Sequence, residues 1–280
     1  MIDRRSRLVE IFNDTSSYIN ETDSLLEAVE YSKKNTKFYP SDKYFDIANN
    51  QTHSPYIEVN EYKSFECAMK LAKENPNKRI AVLNFASATS PGGGVRSGSS
   101  AQEESLCRCS TLYPCLTTKY LFAVYYGPNR DHGTPIHTDD IIYTPNIKII
   151  KSDDDYPSRL LEKDFVDVDI ITCAAPNLRE RPNNHFNYEN DVLVGMNDEK
   201  LFDIHLSRAR HILNIAIHHH VDILVLGAFG CGAFRNNPYV VAKAYKKALE
   251  ENGKYFYKVV FPIYHREYEA ENYLAFKEVL

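Results

Sequence analysis

The sequence predicts an α/β sandwich, and three observations carry that prediction. From Tyr56 onward, apolar runs of strand length alternate with amphipathic stretches of helix length. Two of the apolar runs, at residues 80–86 and 223–227, lead straight into glycine-rich loops. The 280 residues contain no internal repeat and no low-complexity tract, which suits one large domain or a domain with an extension.

Taken in order, residues 6–18 have the spacing of an amphipathic helix. A second helix follows a Thr22–Asp23 start signal, with Leu25, Leu26, Val29 and Tyr31 roughly at helical spacing. The chain up to residue 62 therefore reads as a polar, helical N-terminal extension packed on a core domain of residues 63–280. Residues 56–62 alternate like a strand, 64–75 suit a helix that ends before Pro76, and 80–86 read as a buried strand. A loop over 87–99 gives way to a helix that begins near Ser100. Further strands are expected at 141–144, 147–150, 168–173, 223–227 and 258–264, and further helices at 204–219, 238–252 and 268–279. The polar stretches 129–140 and 176–198 read as surface loops.

Composition narrows the function classes. The chain carries 33 basic and 38 acidic residues, a net charge of −5 without a Lys/Arg cluster, which argues against direct binding along a nucleic-acid backbone. No run of about 18 apolar residues appears, so no membrane span is expected, and the charged N-terminus lacks the core of a secretory signal. Six cysteines without a CxxC pair suggest reduced thiols, no zinc site and a cytoplasmic location, or a nuclear one in a eukaryote. His218, His219 and His220 read as a helix end rather than a metal tract, and Asp153, Asp154 and Asp155 as a solvated loop.

Chemistry concentrates at the two loops. The first holds Gly92, Gly93 and Gly94, followed by Val95; glycines tolerate positive φ and let several N–H groups face one anion. The second holds Gly230, Cys231, Gly232, Ala233 and Phe234 ahead of a helix opened by Pro238, an arrangement that points amides and a helix N-terminus at a phosphate. It is no dinucleotide fingerprint, because Arg235 stands where GxGxxG needs glycine. Both loops follow strands, and ligands of open α/β sheets bind beyond the carboxyl ends of strands. Cys231 reads as a small packing residue.

After the first loop comes Gln102-Glu103-Glu104. Ser100 with Glu103 fits a capping box, which would be structural. Alternatively one carboxyl faces the pocket as an acid, its pKa raised by burial and by the like charge beside it. Neighbours on one helical turn cannot easily flank a sugar ring, so a single glutamate would serve as acid and then as base.

These residues carry a resemblance. Asn84-Phe85-Ala86-Ser87 with Pro91 to Val95 resembles the first binding loop of macrodomains. Three glycines, seven residues and Gln102-Glu103-Glu104 resemble the signature of microbial-type poly(ADP-ribose) glycohydrolases, and Leu226 to Phe234 is similar to that family's diphosphate loop. The segment Val168 to Asn177 also resembles a family strand and loop. The resemblance covers roughly 79–264. It implies a macrodomain-like three-layer α/β/α sandwich with a mixed central sheet, and an enzyme that cleaves the ribose–ribose bond of poly(ADP-ribose) by exo-action.

By the same resemblance, Glu104 is the catalytic acid and Glu103 holds ribose hydroxyls. Asn84, Gly92, Gly93, Gly94, Val95, Gln102, Gly230, Cys231, Gly232, Ala233 and Phe234 would bind substrate. Neither metal nor cofactor is implied. The expected partners are poly(ADP-ribose) or ADP-ribosylated proteins, with ADP-ribose as product or ligand and a monomeric enzyme in the DNA damage response. A hydrolase of another ADP-ribose linkage, or a non-catalytic ADP-ribose reader, is the alternative. Arg96, Arg235 and Asn236 depart from the family pattern.

Overall fold

In the computed structural model, residues 3–47, 54–179 and 196–280 are described. The elements run α1 (Arg4–Glu21), α2 (Asp23–Asn35), β1 (Lys37–Tyr39), β2 (Tyr56–Asn60), α3 (Ser64–Glu74) and β3 (Ile80–Phe85). After the first glycine loop come α4 (Gln102–Cys109), α5 (Leu112–Leu116), α6 (Lys119–Leu121), α7 (Gly127–His132), β4 (Ile141–Ile149) and β5 (Val166–Cys173). The chain ends with α8 (Asp198–His218), β6 (Ile223–Val225), α9 (Pro238–Asn252), β7 (Lys258–Pro262) and α10 (Glu271–Val279).

The strands form one sheet in the order β1-β4-β5-β3-β6-β7-β2. β3 pairs in parallel with β5 and β6, while β4 runs antiparallel to both β1 and β5, so the sheet is mixed. Side-chain alternation gives it two buried faces. Ala81, Leu83, Ile171, Leu224 and Phe261 point toward α8, α9 and α10. Ile80, Val82, Ile170, Val225 and Val260 point toward α1 to α5. Three layers result, as expected.

The segment 1–62 supplies more than helices. Its β1 and β2 form the two edges of the sheet, pairing with β4 and β7. The three-residue β1 is too short to leave a pattern in sequence. The expected loop over 129–140 begins inside α7, and that over 176–198 lies mostly outside the described residues. Asp153 is not solvated: it is buried, accepts from Phe65 N at 2.9 Å and Ser105 Oγ at 2.7 Å, and so pins the starts of α3 and α4. α8 does end at His218, where the rings of His218 and His219 stack on Phe45 and Tyr143. Among the described residues no helix is long and apolar enough to cross a membrane. The six cysteines are free and buried.

Candidate active site

β3 and β6 are parallel neighbours, so the loops leaving their carboxyl ends share one cleft of about 1180 Å³. Glu103 and Glu104, in the first turn of α4, lie against its wall and are only 3% and 7% exposed. Burying two carboxylates side by side is costly unless donors meet them, and the first glycine loop supplies donors. Glu103 Oε2 accepts from Ser87 N at 2.8 Å and Oε1 from Asn84 Nδ2 at 3.3 Å, with a further amide from Gly92. Glu104 Oε1 accepts from Gly94 N at 2.8 Å. Glu104 Oε2 is buried and has no partner among the described residues.

This overturns the capping box. The N-cap of α4 is Ala101 without a side-chain cap, and Glu103 reaches forward to the loop instead of back to Ser100. The glycines are needed for the same contacts. Gly93 has φ +56°, and a Cβ there would stand 2.4 Å from Glu104 Oε1. Its own amide and that of Val95 close turns onto Ser90 O and Gly92 O. The anion that the first loop cradles is therefore the protein's own carboxylate pair. Burial, and then the Glu104 charge, push the Glu103 carboxyl up to about 8.

The second loop is free where the first is occupied. Among the described residues, the amides of Gly232, Ala233 and Phe234 donate to nothing, and no atom lies within 4 Å of where a Gly232 Cβ would point. Three consecutive bare amides on the cleft wall make an anion cradle. Asn236 holds them in place: its Nδ2 donates to Pro176 O, Gly230 O and Phe234 O, while Oδ1 meets His205 Nε2 at 2.8 Å.

Of the residues expected at the site, Gly93, Gly94, Gln102, Glu103, Glu104, Gly230, Gly232, Ala233 and Phe234 line the cleft. Asn84 sits fully buried beneath it, bridging Glu103 and Thr172. Gly92, Val95 and Cys231 do not line the cleft: Gly92 faces Tyr113, and Val95 and Cys231 pack into the two cores. Gln102 clips the end of β3, accepting from Phe85 N at 2.9 Å and donating to Leu83 O at 2.7 Å.

Sequence reasoning had Asn177 only as the end of a family-like strand and loop and missed His137 and Arg179, which line the wall beyond β5 with it, and the buried Arg208 that fixes that wall. Arg208 donates to Ala174 O, Ile136 O and His137 O and pairs with Asp139 at 2.7 Å. None of these positions belongs to a glycine loop or a charged cluster, so no local signal marked them as site residues. At the opposite end, Tyr62 and Tyr264 line the cleft where β2 and β7 finish. Among the described residues no group of three or more His, Cys, Asp or Glu side chains is placed to hold a metal ion.

Fold and site together define an α/β/α sandwich whose cleft sets a loop of bare amides beside a buried pair of carboxylates. Residues 7–152 match the family described as microbial-type PARG, catalytic domain, where PARG is poly(ADP-ribose) glycohydrolase. The chain belongs to that family. The fold is also similar to poly(ADP-ribose) glycohydrolase from Thermomonospora curvata bound to the inhibitor ADP-HPD, at 29% identity and a TM-score of 0.81, covering 99% of this chain and 100% of that one. It resembles the Deinococcus radiodurans enzyme in complex with ADP-ribose, at 31% identity and a TM-score of 0.76, covering 90% of this chain and 96% of that one. Comparison with curated proteins gives no match.

Proposed function

We propose that this protein hydrolyses the ribose–ribose O-glycosidic bond of poly(ADP-ribose) and releases ADP-ribose from the chain end, with Glu104 as the acid. The observation that carries the assignment is the one carboxylate oxygen without a donor. Both oxygens of Glu103 and one of Glu104 accept amide hydrogens. A proton that the pair keeps, favoured at Glu103 by burial, can therefore be passed to substrate through Glu104 Oε2, the one oxygen whose use breaks no hydrogen bond to the loop.

The strand order supports a pose. Tyr62 and Tyr264 offer stacking faces for the base, the bare amides after β6 suit the diphosphate, and the glutamates after β3 stand at the ribose. Glu104 Oε2 gives its proton to the leaving 2′ oxygen as the C1″–O bond breaks, the bonding pair going to that oxygen. The ribosyl centre becomes oxocarbenium-like, water adds to C1″, and Glu104 takes the proton that water loses. Glu103, held by the loop amides, receives the ribose hydroxyls. Asn84, Gln102, Gly92 and Val95 act by positioning the pair rather than by touching substrate. The site is complete within one chain, which supports a monomeric enzyme, and six free thiols support a reducing compartment, cytoplasmic or nuclear.

The test uses wild type and Glu104→Gln with purified poly(ADP-ribose), measuring free ADP-ribose over time and ADP-ribose affinity by calorimetry. Release should fall by roughly 100-fold or more in the variant, as for loss of a general acid, while affinity stays within a few-fold. Early accumulation of shorter oligomers instead of ADP-ribose would mean internal cleavage. Binding without release by wild type would identify a reader or an enzyme for another linkage.

A further inference from the structure

Past the glutamates the cleft continues over the carboxyl end of β5, where the chemistry above uses neither Arg179 on the wall nor Arg235 on the adjoining loop tip. Arg179 lines this stretch. Its guanidinium lies 5.6 Å from the centre of the Phe234 ring, and its Nε donates to Asn177 Oδ1 at 3.0 Å. Leu178 N donates to Phe234 O at 2.9 Å, so the segment after β5 is tied to the tip of the second loop. Arg235 is the next residue on that tip. Burial, and then the like charge of Arg235, hold the Arg179 guanidinium below its ordinary value.

Other arginines near the sheet are matched with acids: Arg79 with Asp169 and Arg208 with Asp139. Among the described residues neither Arg179 nor Arg235 forms a salt bridge; Arg179 meets Asn177, the Phe234 ring and its like-charged neighbour. Two guanidinium groups kept together without a carboxylate among the described residues, one on the cleft wall and the other on the adjoining loop tip, fit a phosphate ligand, which accepts their forked N–H donors.

We propose that Arg179 and Arg235 form a phosphate subsite for the ADP-ribose unit on the leaving side of the scissile bond. This inference rests on the glycohydrolase assignment, because the polymer carries a diphosphate on each side of its ribose–ribose linkage. The released unit places its diphosphate at the amides after β6 and its ribose at the glutamates after β3. The next strand in the sheet is β5, so the leaving unit runs over Arg179. Polymer is thereby bound more tightly than the single unit.

The experiment compares Arg179→Gln/Arg235→Gln with Arg179→Lys/Arg235→Lys, both in a Glu104→Gln background so that polymer persists. Affinities for poly(ADP-ribose) and for ADP-ribose are measured across a salt series, with thermal melts to check the fold. Arg235→Gln alone, at an exposed position, is the fallback if the double variant melts early. The glutamine variant should lose about tenfold more polymer affinity than ADP-ribose affinity, and its polymer salt slope should be shallower by about one. The lysine variant should keep part of the preference. Equal losses for both ligands, or no loss for polymer, overturn the subsite. If unmodified protein releases no ADP-ribose from polymer, the glycohydrolase assignment fails on that result, while the affinity ratio still decides whether the arginines read polymer.

Discussion

Glu103 and Glu104 follow one another on α4, yet their hydrogen-bond inventories differ, and the difference predicts separate outcomes. Glu103 is enclosed, and its carboxyl is pushed from 4.5 to about 8 by burial first and the Glu104 charge second. Between those pH values the folded state holds a proton that the unfolded chain has released. Stability should therefore fall as pH rises from about 4.5 to 8 and level off above, with an upper bound of about 5 kcal/mol. Glu103→Gln does not titrate, so its melting temperature should gain on wild type steadily from pH 5 to 8. Parallel curves for the two proteins would contradict the buried, proton-holding carboxyl. Gly93→Ala tests the other glutamate's surroundings. A methyl at φ +56° and 2.4 Å from Glu104 Oε1 must move the carboxylate or the loop. Release in steady-state assays should drop by about 100-fold or more, while denaturant unfolding registers a cost of about 1–2 kcal/mol for the left-handed residue.

At the scale of elements, both loops are held by partners distant in sequence. Asn236 closes the second loop onto Pro176 and His205, so Asn236→Ala strips donors from three carbonyls. Unfolding free energy should fall by about 2 kcal/mol or more, and calorimetry should show ADP-ribose affinity reduced by about tenfold as the amides lose their alignment. The first loop leans on α1. Gly98, at φ +75°, brings its Cα against the Arg5 carbonyl, where a Cβ would stand at 2.4 Å, and Thr15 Oγ1 donates to Arg108 O at the far end of α4. Gly98→Ala should therefore push α1 away, lowering both the melting temperature and the release rate. The strands other than β1 and both glycine loops were legible because apolar runs, two of them ending in glycine, are local signals. Glu103 and Glu104 were legible as a pair, but Ser100 and Glu103 imitated a capping box, and only the hydrogen bonds from Ser87 and Asn84, distant in sequence, decide against it. Asn236 looked like a departure from pattern because its partners lie 31 and 60 residues away. Asp153 looked solvated because its neighbours Asp154 and Asp155 are exposed, whereas its own carboxylate caps α3 and binds Ser105.

The whole molecule depends on its first 62 residues more than a helical extension would require. Those residues provide β1 and β2, which cover the open edges of β4 and β7, and α1 and α2, whose Phe12, Ile19, Leu25 and Val29 complete one of the two cores. α1 also receives the buried Lys151, which donates to Ile11 O at 2.8 Å and pairs with Asp14 at 2.7 Å. Without this segment, the core that Phe12, Ile19, Leu25 and Val29 complete would face water, and two strand edges would present unpaired amides to other chains. We therefore treat the division at residue 62 as one of sequence character and predict that it is not a folding boundary. A chain of residues 63–280 should express largely as aggregate, or as a species that melts without a cooperative transition and releases no ADP-ribose. Adding back residues 1–62 as a separate peptide should restore little, because strands at opposite edges of the sheet would have to dock together with the helices between them. A soluble, cooperatively melting 63–280 that still cleaves polymer would show the opposite: that the core closes its own edges and α1 merely rests on the active-site loop.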